Sequence, residues 1–533
     1  MKRSLRLSLL GLLLIGLSAV AHAQIKPRNP HAVYRSAADS EQALAPRRVG
    51  LHASAPLTSE GSPKVPVILV QFPDLRFTAG LADGEECETD AQGETVNATY
   101  TLFCNGQGDG GHYTDLGSGG AITEYFSDQS DGTFTPEFVV IGPVTLDSSY
   151  VYYGKNTSST TDVNLSQFYS QALTKAQALY SDWDAFDNDG NGSVDMAFFI
   201  YAGEGENALD PNTDDDAENH IWPSERGSGG TINSVTYGAY ACCNELYEGV
   251  IDGIGVFVHE LSHALGLPDL YDTGYKLFGL DYWDVMDSGC YCADGYVPCN
   301  YSAYERDFMG WQALITLSGT ASQALTLQPI SANGQGYKVV NPENEDEYYV
   351  IENRQNKGWD TYIGRGNSSY KMHGLLVTHI DYIQSRWTNN RVNYYSYDHP
   401  CCTILPADGE LYSSMDVTTT AEYYAYLESM QGDPFPGATG LDSLAGDMAT
   451  VYTTTGDTPG LMNQSLLGIT ENEDLSITLT YQPALATAIR SVEADDDENA
   501  NAIYTLSGMR LHMSAACLPS GIYIIGGKKC VVR

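Results

Sequence analysis

Basic residues are scarce in this chain of 533 residues: 27 Lys and Arg stand against 68 Asp and Glu, a formal net charge of −41. Such a surface repels phosphate backbones and anionic lipid, which excludes nucleic acid and membrane headgroups as natural partners. Long apolar runs are scarce too. The stretch Leu7–Val20 is too short for a comfortable membrane span, and no later segment approaches the roughly 18 uninterrupted apolar residues a spanning helix needs. There is no internal repeat and no paired C-x-x-C motif. Cys290, Cys292 and Cys299 therefore read as disulfide partners rather than a zinc cluster. Apolar residues still make up 42% of the chain, enough for sizeable cores.

What is present begins with a compartment signal. Lys2, Arg3 and Arg6 precede the apolar run, and Ala21-His22-Ala23 supplies small residues at the two positions a signal peptidase reads. Cleavage before Gln24 is expected, giving a mature protein that is secreted or at the cell surface. Export permits disulfides among the 11 cysteines. Cys87 with Cys104 and Cys517 with Cys530 form plausible local loops, whereas the adjacent pairs Cys242-Cys243 and Cys401-Cys402 seek distant partners. The odd total leaves one thiol over.

Coarse patterning gives strands over Val65–Phe72, Phe138–Ile141 and Met196–Ala202, with helices over Ala121–Phe126, Leu165–Tyr180 and Ile251–Leu265. Beyond Leu317 the pattern turns to short β-like runs: Tyr348–Ile351, Gly374–Ile380 and Leu475–Tyr481. An acidic stretch, Glu493–Glu498, separates these from a final β module.

The helix over Ile251–Leu265 carries the chemistry. In His259-Glu260-Leu261-Ser262-His263, residues four apart face the same way, so both imidazoles can reach one zinc ion. Glu260 lies beside the metal, placed to act as general base. Gly266 permits a sharp turn, Pro268 stops the helix, and Asp269 can return as third ligand. Met286, in Trp283-Asp284-Val285-Met286, sits where a tight turn forms an apolar floor in metzincin-type zincins.

The string His259–Asp272 with its Leu267-Pro268-Asp269-Leu270-Tyr271-Asp272 tail, together with Trp283–Met286, resembles the immune inhibitor A family of secreted bacterial zinc metallopeptidases. Softer matches are Val70–Asp74, Ser302–Arg306 before Gly310-Trp311, Glu352–Arg354 and His379–Asp381, so that the resemblance covers roughly residues 64–480. It implies His259 and His263 as zinc ligands and Glu260 as catalyst; for the third ligand, Asp269 is favoured and Glu305 is the alternative. The implied fold is α+β, a metzincin-like zincin catalytic domain followed by a β-rich subdomain and a small C-terminal β module. The expected division is signal peptide 1–23, leader or pro-segment 24–62, catalytic domain 63–315, β-rich subdomain 316–485, and acidic linker with C-terminal module 486–533. The leader is shorter than the family's usual pro-region. The C-terminal module, with Ile503–Gly508 and Leu518–Ile524, resembles the sorting domains of Bacteroidetes secretion systems and implies secretion machinery as a partner.

The expected activity is zinc-dependent endopeptidase hydrolysis of protein or peptide substrates. Its rivals are a catalytically silent adhesin or glycan-binding protein and a non-peptidase zinc hydrolase. His373 and His379 are candidates for an oxyanion helper, though each reads more readily as structural. A second cation site is suggested by Asp187, Asp189, Asn191, Ser193 and Asp195, which place oxygens at alternate positions, with Gly192 at the turn. Position 12 of that loop is Phe198, so it is not an EF-hand; Asp184 could add a carboxylate, and a bound Ca2+ would be structural.

Overall fold

The computed structural model describes residues 22–24, 55–78, 94–106, 119–210, 213–214, 216–363, 372–417, 419–455 and 458–484, with short segments between 503 and 532. The chain divides into two compact units, Met1–Pro483 and Ala484–Arg533.

The first unit is organised by an eight-stranded sheet. Its strands are β1 (His22–Gln24), β2 (Lys64–Gln71), β3 (Glu137–Thr145), β4 (Val194–Glu204), β5 (Ser224–Arg226), β6 (Thr231–Ile232), β7 (Val235–Tyr247) and β8 (Val250–Ile251). The order is β1-β5-β7-β4-β2-β3, with β6 and β8 paired to β7. The central strands β7, β4, β2 and β3 run parallel, and β5 and β1 close the edge antiparallel.

Parallel strands covered on both faces read as near-continuous apolar runs, and β2 and β4 do so because their alternate residues enter two different cores. Val65, Val67 and Leu69 join one core; Ile68 and Val70 join the other. Helix α3 (Leu165–Leu179) fills the second core through Phe168, Tyr169, Ala172, Leu173 and Ala176; α1 (Glu94–Asn105), α2 (Ile122–Gln129) and α4 (Gly255–Ala264) contribute to the first. Helix α4 is anchored on the sheet by Phe257, whose ring stacks 3.6 Å from Phe198 and meets Phe138 edge-on at 5.3 Å.

The helix expected over Ile251–Leu265 starts four residues later than the periodicity suggests. Val250–Ile251 pairs with β7 instead, and Gly255 opens α4 because the backbone of Cys290 passes so close that a Cβ there would sit 1.8 Å from its carbonyl oxygen.

The rest of the unit contains α5 (Ala303–Phe308), α6 (Gln384–Thr388) and α7 (Thr420–Gly432). Five strands, β9 (Ile315–Leu317), β11 (Tyr337–Asn341), β12 (Asn344–Arg354), β13 (Gly374–Asp381) and β14 (Cys402–Ile404), form a second sheet in the order β14-β13-β12-β11-β9. A third has the order β10-β19-β18-β15, from β10 (Gln323–Leu327), β15 (Ser443–Leu444), β18 (Ser465–Glu471) and β19 (Ile477–Gln482); β16 (Thr450–Thr455) and β17 (Thr458–Leu461) make a hairpin. Tyr348, Val350, Leu376, Ile380 and Trp387 share the first core with α4, so the regions before and after residue 315 are packed as one body. Taken by itself, the C-terminal unit is a four-stranded sheet of Ile503–Thr505, Arg510–Leu511, Gly521–Ile525 and Lys528–Val532. The signal run before His22 and the acidic linker lie outside the described residues.

The nine described cysteines are free thiols, eight of them buried. The disulfides expected for Cys242, Cys243, Cys290, Cys292, Cys299, Cys401 and Cys402 are therefore not formed; these residues fill core positions as small apolar side chains. Cys87 and Cys517 lie outside the described residues, while Cys104 and Cys530 are thiols. Among the described residues, no helix is long and apolar enough to cross a membrane.

Because Phe257 carries much of the contact between α4 and the sheet, Phe257→Ala should destabilise the chain by about 3–5 kcal/mol. Urea unfolding followed by far-ultraviolet circular dichroism measures this directly.

Candidate metal centre

Helix α4 delivers His259 and His263 to one side, one turn apart and fully buried. Their ring orientations are set by backbone. His259 Nδ1 donates to the Val285 carbonyl at 2.9 Å, and His263 Nδ1 donates to the Leu267 carbonyl at 2.8 Å. A carbonyl can only accept, so each ring carries a proton on Nδ1 and presents its Nε2 on the opposite side.

Asp269 completes the triangle. Gly266 turns the chain at φ +105°, a conformation side chains other than glycine's rarely adopt, and Asp269 Oδ1 arrives 3.2 Å from His259 Nε2 and 3.1 Å from His263 Nε2. Its backbone N–H donates to Asn390 Oδ1 at 2.7 Å, and its Oδ2 accepts from Asn390 Nδ2. That clamp leaves Oδ1 to face the imidazoles. Burial alone would raise the Asp269 carboxyl, but His263 and His259 outweigh it and hold the group well below the usual carboxylate range.

Three acceptor atoms thus meet inside the protein, and His259 Nε2 and Asp269 Oδ1 find no hydrogen-bond partner there. Buried polar atoms without a partner are costly, and a cation among these donors would offset that cost. The donor set, two imidazoles and a carboxylate, fits a divalent metal of the zinc kind.

The surrounding chain is braced by buried carboxylates. Asp284 Oδ1 accepts from the Met286 N–H at 2.8 Å, and Asp287 accepts from the N–H groups of Leu280, Asp281 and Ser288. These bonds shape the turn that presents the Val285 carbonyl to His259. Arg354 on β12 donates to the Trp283 carbonyl at 2.9 Å while holding Asp360 through two nitrogens, each at 2.8 Å. The Met286 carbonyl accepts from the Leu270 N–H, tying the chain beyond Asp269 to the same turn.

Glu260 is buried on α4 beside the ligands. Glu305, the alternative third ligand, is not in the cluster. It caps α5, accepting from the Ser302 N–H at 2.7 Å, and it pairs with Asp284. Burial and then the Asp284 charge raise the Glu305 carboxyl, while burial lifts Asp284 to about 6. His373 and His379 pair with Glu471 and Glu347 at 2.9 and 2.8 Å and are not part of this centre.

The structure brings together Asp187, Asp189 and Asp195 of the second site, while the Asn191 and Ser193 side chains bond within the loop. Asp195 is raised to about 6 by burial. Arg354 entered the sequence reading only within the Glu352–Arg354 match, without a role; Asn390 was not singled out, because its partner Asp269 lies far away in the chain.

Residues 54–314 match the family model described as the immune inhibitor A peptidase M6 catalytic domain. The chain is similar to the pre-pro-metalloprotease PrtV of Vibrio cholerae serotype O1, strain M66-2, at 26% identity over 276 residues, 46% of this chain and 29% of that protein. It is also similar to immune inhibitor A of Bacillus thuringiensis subsp. alesti, at 29% identity over 212 residues, 35% of this chain and 31% of that protein. It therefore spans under a third of the length of these relatives.

Two sets of substitutions test the geometry. Asn390→Ala should weaken zinc affinity about 10- to 100-fold, measured by chelator competition, because the clamp on Asp269 is lost. Glu305→Gln should keep full metal content while Asp269→Ala loses it. A carboxyl whose folded pKa is raised holds a proton that the unfolded chain releases, so its contribution to stability falls as pH rises. Glu305→Gln should flatten that decline as pH rises above the ordinary carboxylate range, measured by urea unfolding.

Proposed function

We propose that this chain is a secreted zinc-dependent endopeptidase, its metal held by His259, His263 and Asp269 in a metzincin-like site. One observation carries the reading: donor atoms of His259, His263 and Asp269, all buried, lie within 4.8 Å of one another, and two of them come from the helix that also carries Glu260. The peptidase M6 match over residues 54–314 favours it over a silent adhesin.

Zinc bound there would supply a Lewis acid that polarises the scissile carbonyl and acidifies the attacking water. Glu260 takes the proton of that water on a carboxylate oxygen and passes it to the leaving amine nitrogen. Asn390 keeps the second oxygen of Asp269 occupied, and the carbonyls of Val285 and Leu267 keep both rings in one tautomer.

The outer edge of β5 is the docking line for substrate. In this structure the backbone of His22, Ala23 and Gln24 adds there, antiparallel to Arg226, Glu225 and Ser224. An extended peptide can pair with a sheet edge in the same way. Signal cleavage before Gln24 would release this strand. The Asp187–Asp195 loop is proposed to take a structural Ca2+, and the C-terminal unit is proposed to engage secretion machinery.

The test is casein cleavage by the mature chain. Chelator should abolish it and zinc restore it, and Glu260→Gln should lower kcat/KM about 100- to 10,000-fold with metal content unchanged. Full activity in that variant would defeat the assignment.

A further inference from the structure

Asp381, His399 and Cys401 form a second group of metal-competent donors, remote in sequence from the first centre. Their meeting follows from strand register. Ile380 on β13 lies opposite Cys402 on β14, and one residue beyond this pair the Asp381 N–H donates to the Cys401 carbonyl at 2.9 Å. Asp381 and Cys401 are therefore cross-strand neighbours, and His399, two residues before Cys401, shares that face.

The side chains converge accordingly. His399 Nε2 lies 2.9 Å from Asp381 Oδ2, and the three donor atoms all fall within 4.8 Å of one another. Ligands on a tetrahedral zinc ion stand about 3.3–3.8 Å apart, so small side-chain shifts suffice. Cys401 is buried, while His399 and Asp381 are partly exposed, at 16% and 13% of their side chains, leaving an approach for an ion and a further ligand. The His399 ring stacks on Tyr452 at 3.9 Å, which fixes its plane.

Charge favours a dication. Asp381 and the nearby Asp398 bring two negative charges, and Cys401, a neutral thiol pushed up to about 12 by burial, adds a third once a bound ion displaces its proton. Arg386 brings one positive charge, donating to the Cys401 sulfur at 2.8 Å and to Asp398 at 3.3 Å. A divalent ion restores neutrality. A thiolate with an imidazole and a carboxylate selects a zinc-like ion over Ca2+ or Mg2+.

We propose that Asp381, His399 and Cys401 bind a second, non-catalytic transition-metal ion of the zinc class. The proton that leaves the thiol on binding is released to solvent. The ion would pin the base of the 382–401 loop, which also carries Asn390 and Asn393. Asn393 Oδ1 accepts from the Cys401 and Cys402 N–H groups, and its Nδ2 donates to the Leu270 carbonyl at 2.7 Å. The site would thus steady the loop that grips Asp269, yet it stands on its own donors and does not depend on the peptidase reading.

Cobalt(II) separates the two centres, because the first has no sulfur. Metal-free full-length chain titrated with Co2+ should develop a near-ultraviolet thiolate-to-cobalt charge-transfer band, retained in His259→Ala. The band should vanish in Cys401→Ser, and Asp381→Asn should weaken the binding that produces it about tenfold or more. Zinc analysis should read one equivalent fewer in Cys401→Ser than in the wild type, with matching circular dichroism spectra. A wild type without the band, or a band that survives Cys401→Ser, would overturn the proposal.

Discussion

Both imidazoles of the candidate centre give their Nδ1 proton to the backbone. Val285 and Leu267 accept it, so the two Nε2 atoms and Asp269 Oδ1 meet in the interior of the protein. That enforced meeting of donor atoms makes the surrounding architecture necessary. It requires a helix to set the histidine spacing, a glycine turn to return the chain, and a rigid loop to offer the Val285 carbonyl. The sheet answers the first need, holding α4 through Phe198 and Phe257. Gly266 answers the second and the braced turn at Asp284–Ser288 the third.

The acid excess acquires a second meaning here. A net charge of −41 reads as a solvated surface, and much of it is. Yet Asp272, Asp284, Asp287, Glu305, Asp360 and Asp433 are buried. Several of them collect main-chain N–H groups in the irregular stretch between α4 and α5, where few regular ladders are available to satisfy them. Carboxylates in this region replace secondary structure as the scaffold. Arg354 supplies the positive charge that the pair Glu352 and Asp360 requires.

Legibility in the sequence followed the range of the interactions. The H-E-x-x-H spacing was readable because helical period alone puts both rings on one side, and β2 and β4 were readable because burial on both faces leaves unbroken apolar runs. Strand β7 was overlooked; its Gly, Ala, Cys and Tyr residues look like neither an alternating strand nor a continuous apolar one. Helix α7 was overlooked inside a region read as β, since its tyrosines suggest strand. Thr419 and Glu422 were the available sign: the Thr419 hydroxyl accepts from the Glu422 N–H, a helix-start pattern. The β-rich region proved inseparable from the core around α4, because Trp387 and Ile380 join it only after the chain has folded back.

Asn390 gives the order of the chain a temporal meaning. The segment matched by the peptidase model ends at residue 314, by which point both histidines and Asp269 have been made. Arg354, Asn390 and Asp433 come later. A chain made N-terminus first therefore passes through an interval in which the Val285 and Leu267 carbonyls can already orient both rings while Asp269 still lacks the clamp of Asn390. The third donor is aimed only once the distal loop has been made and has folded back upon it.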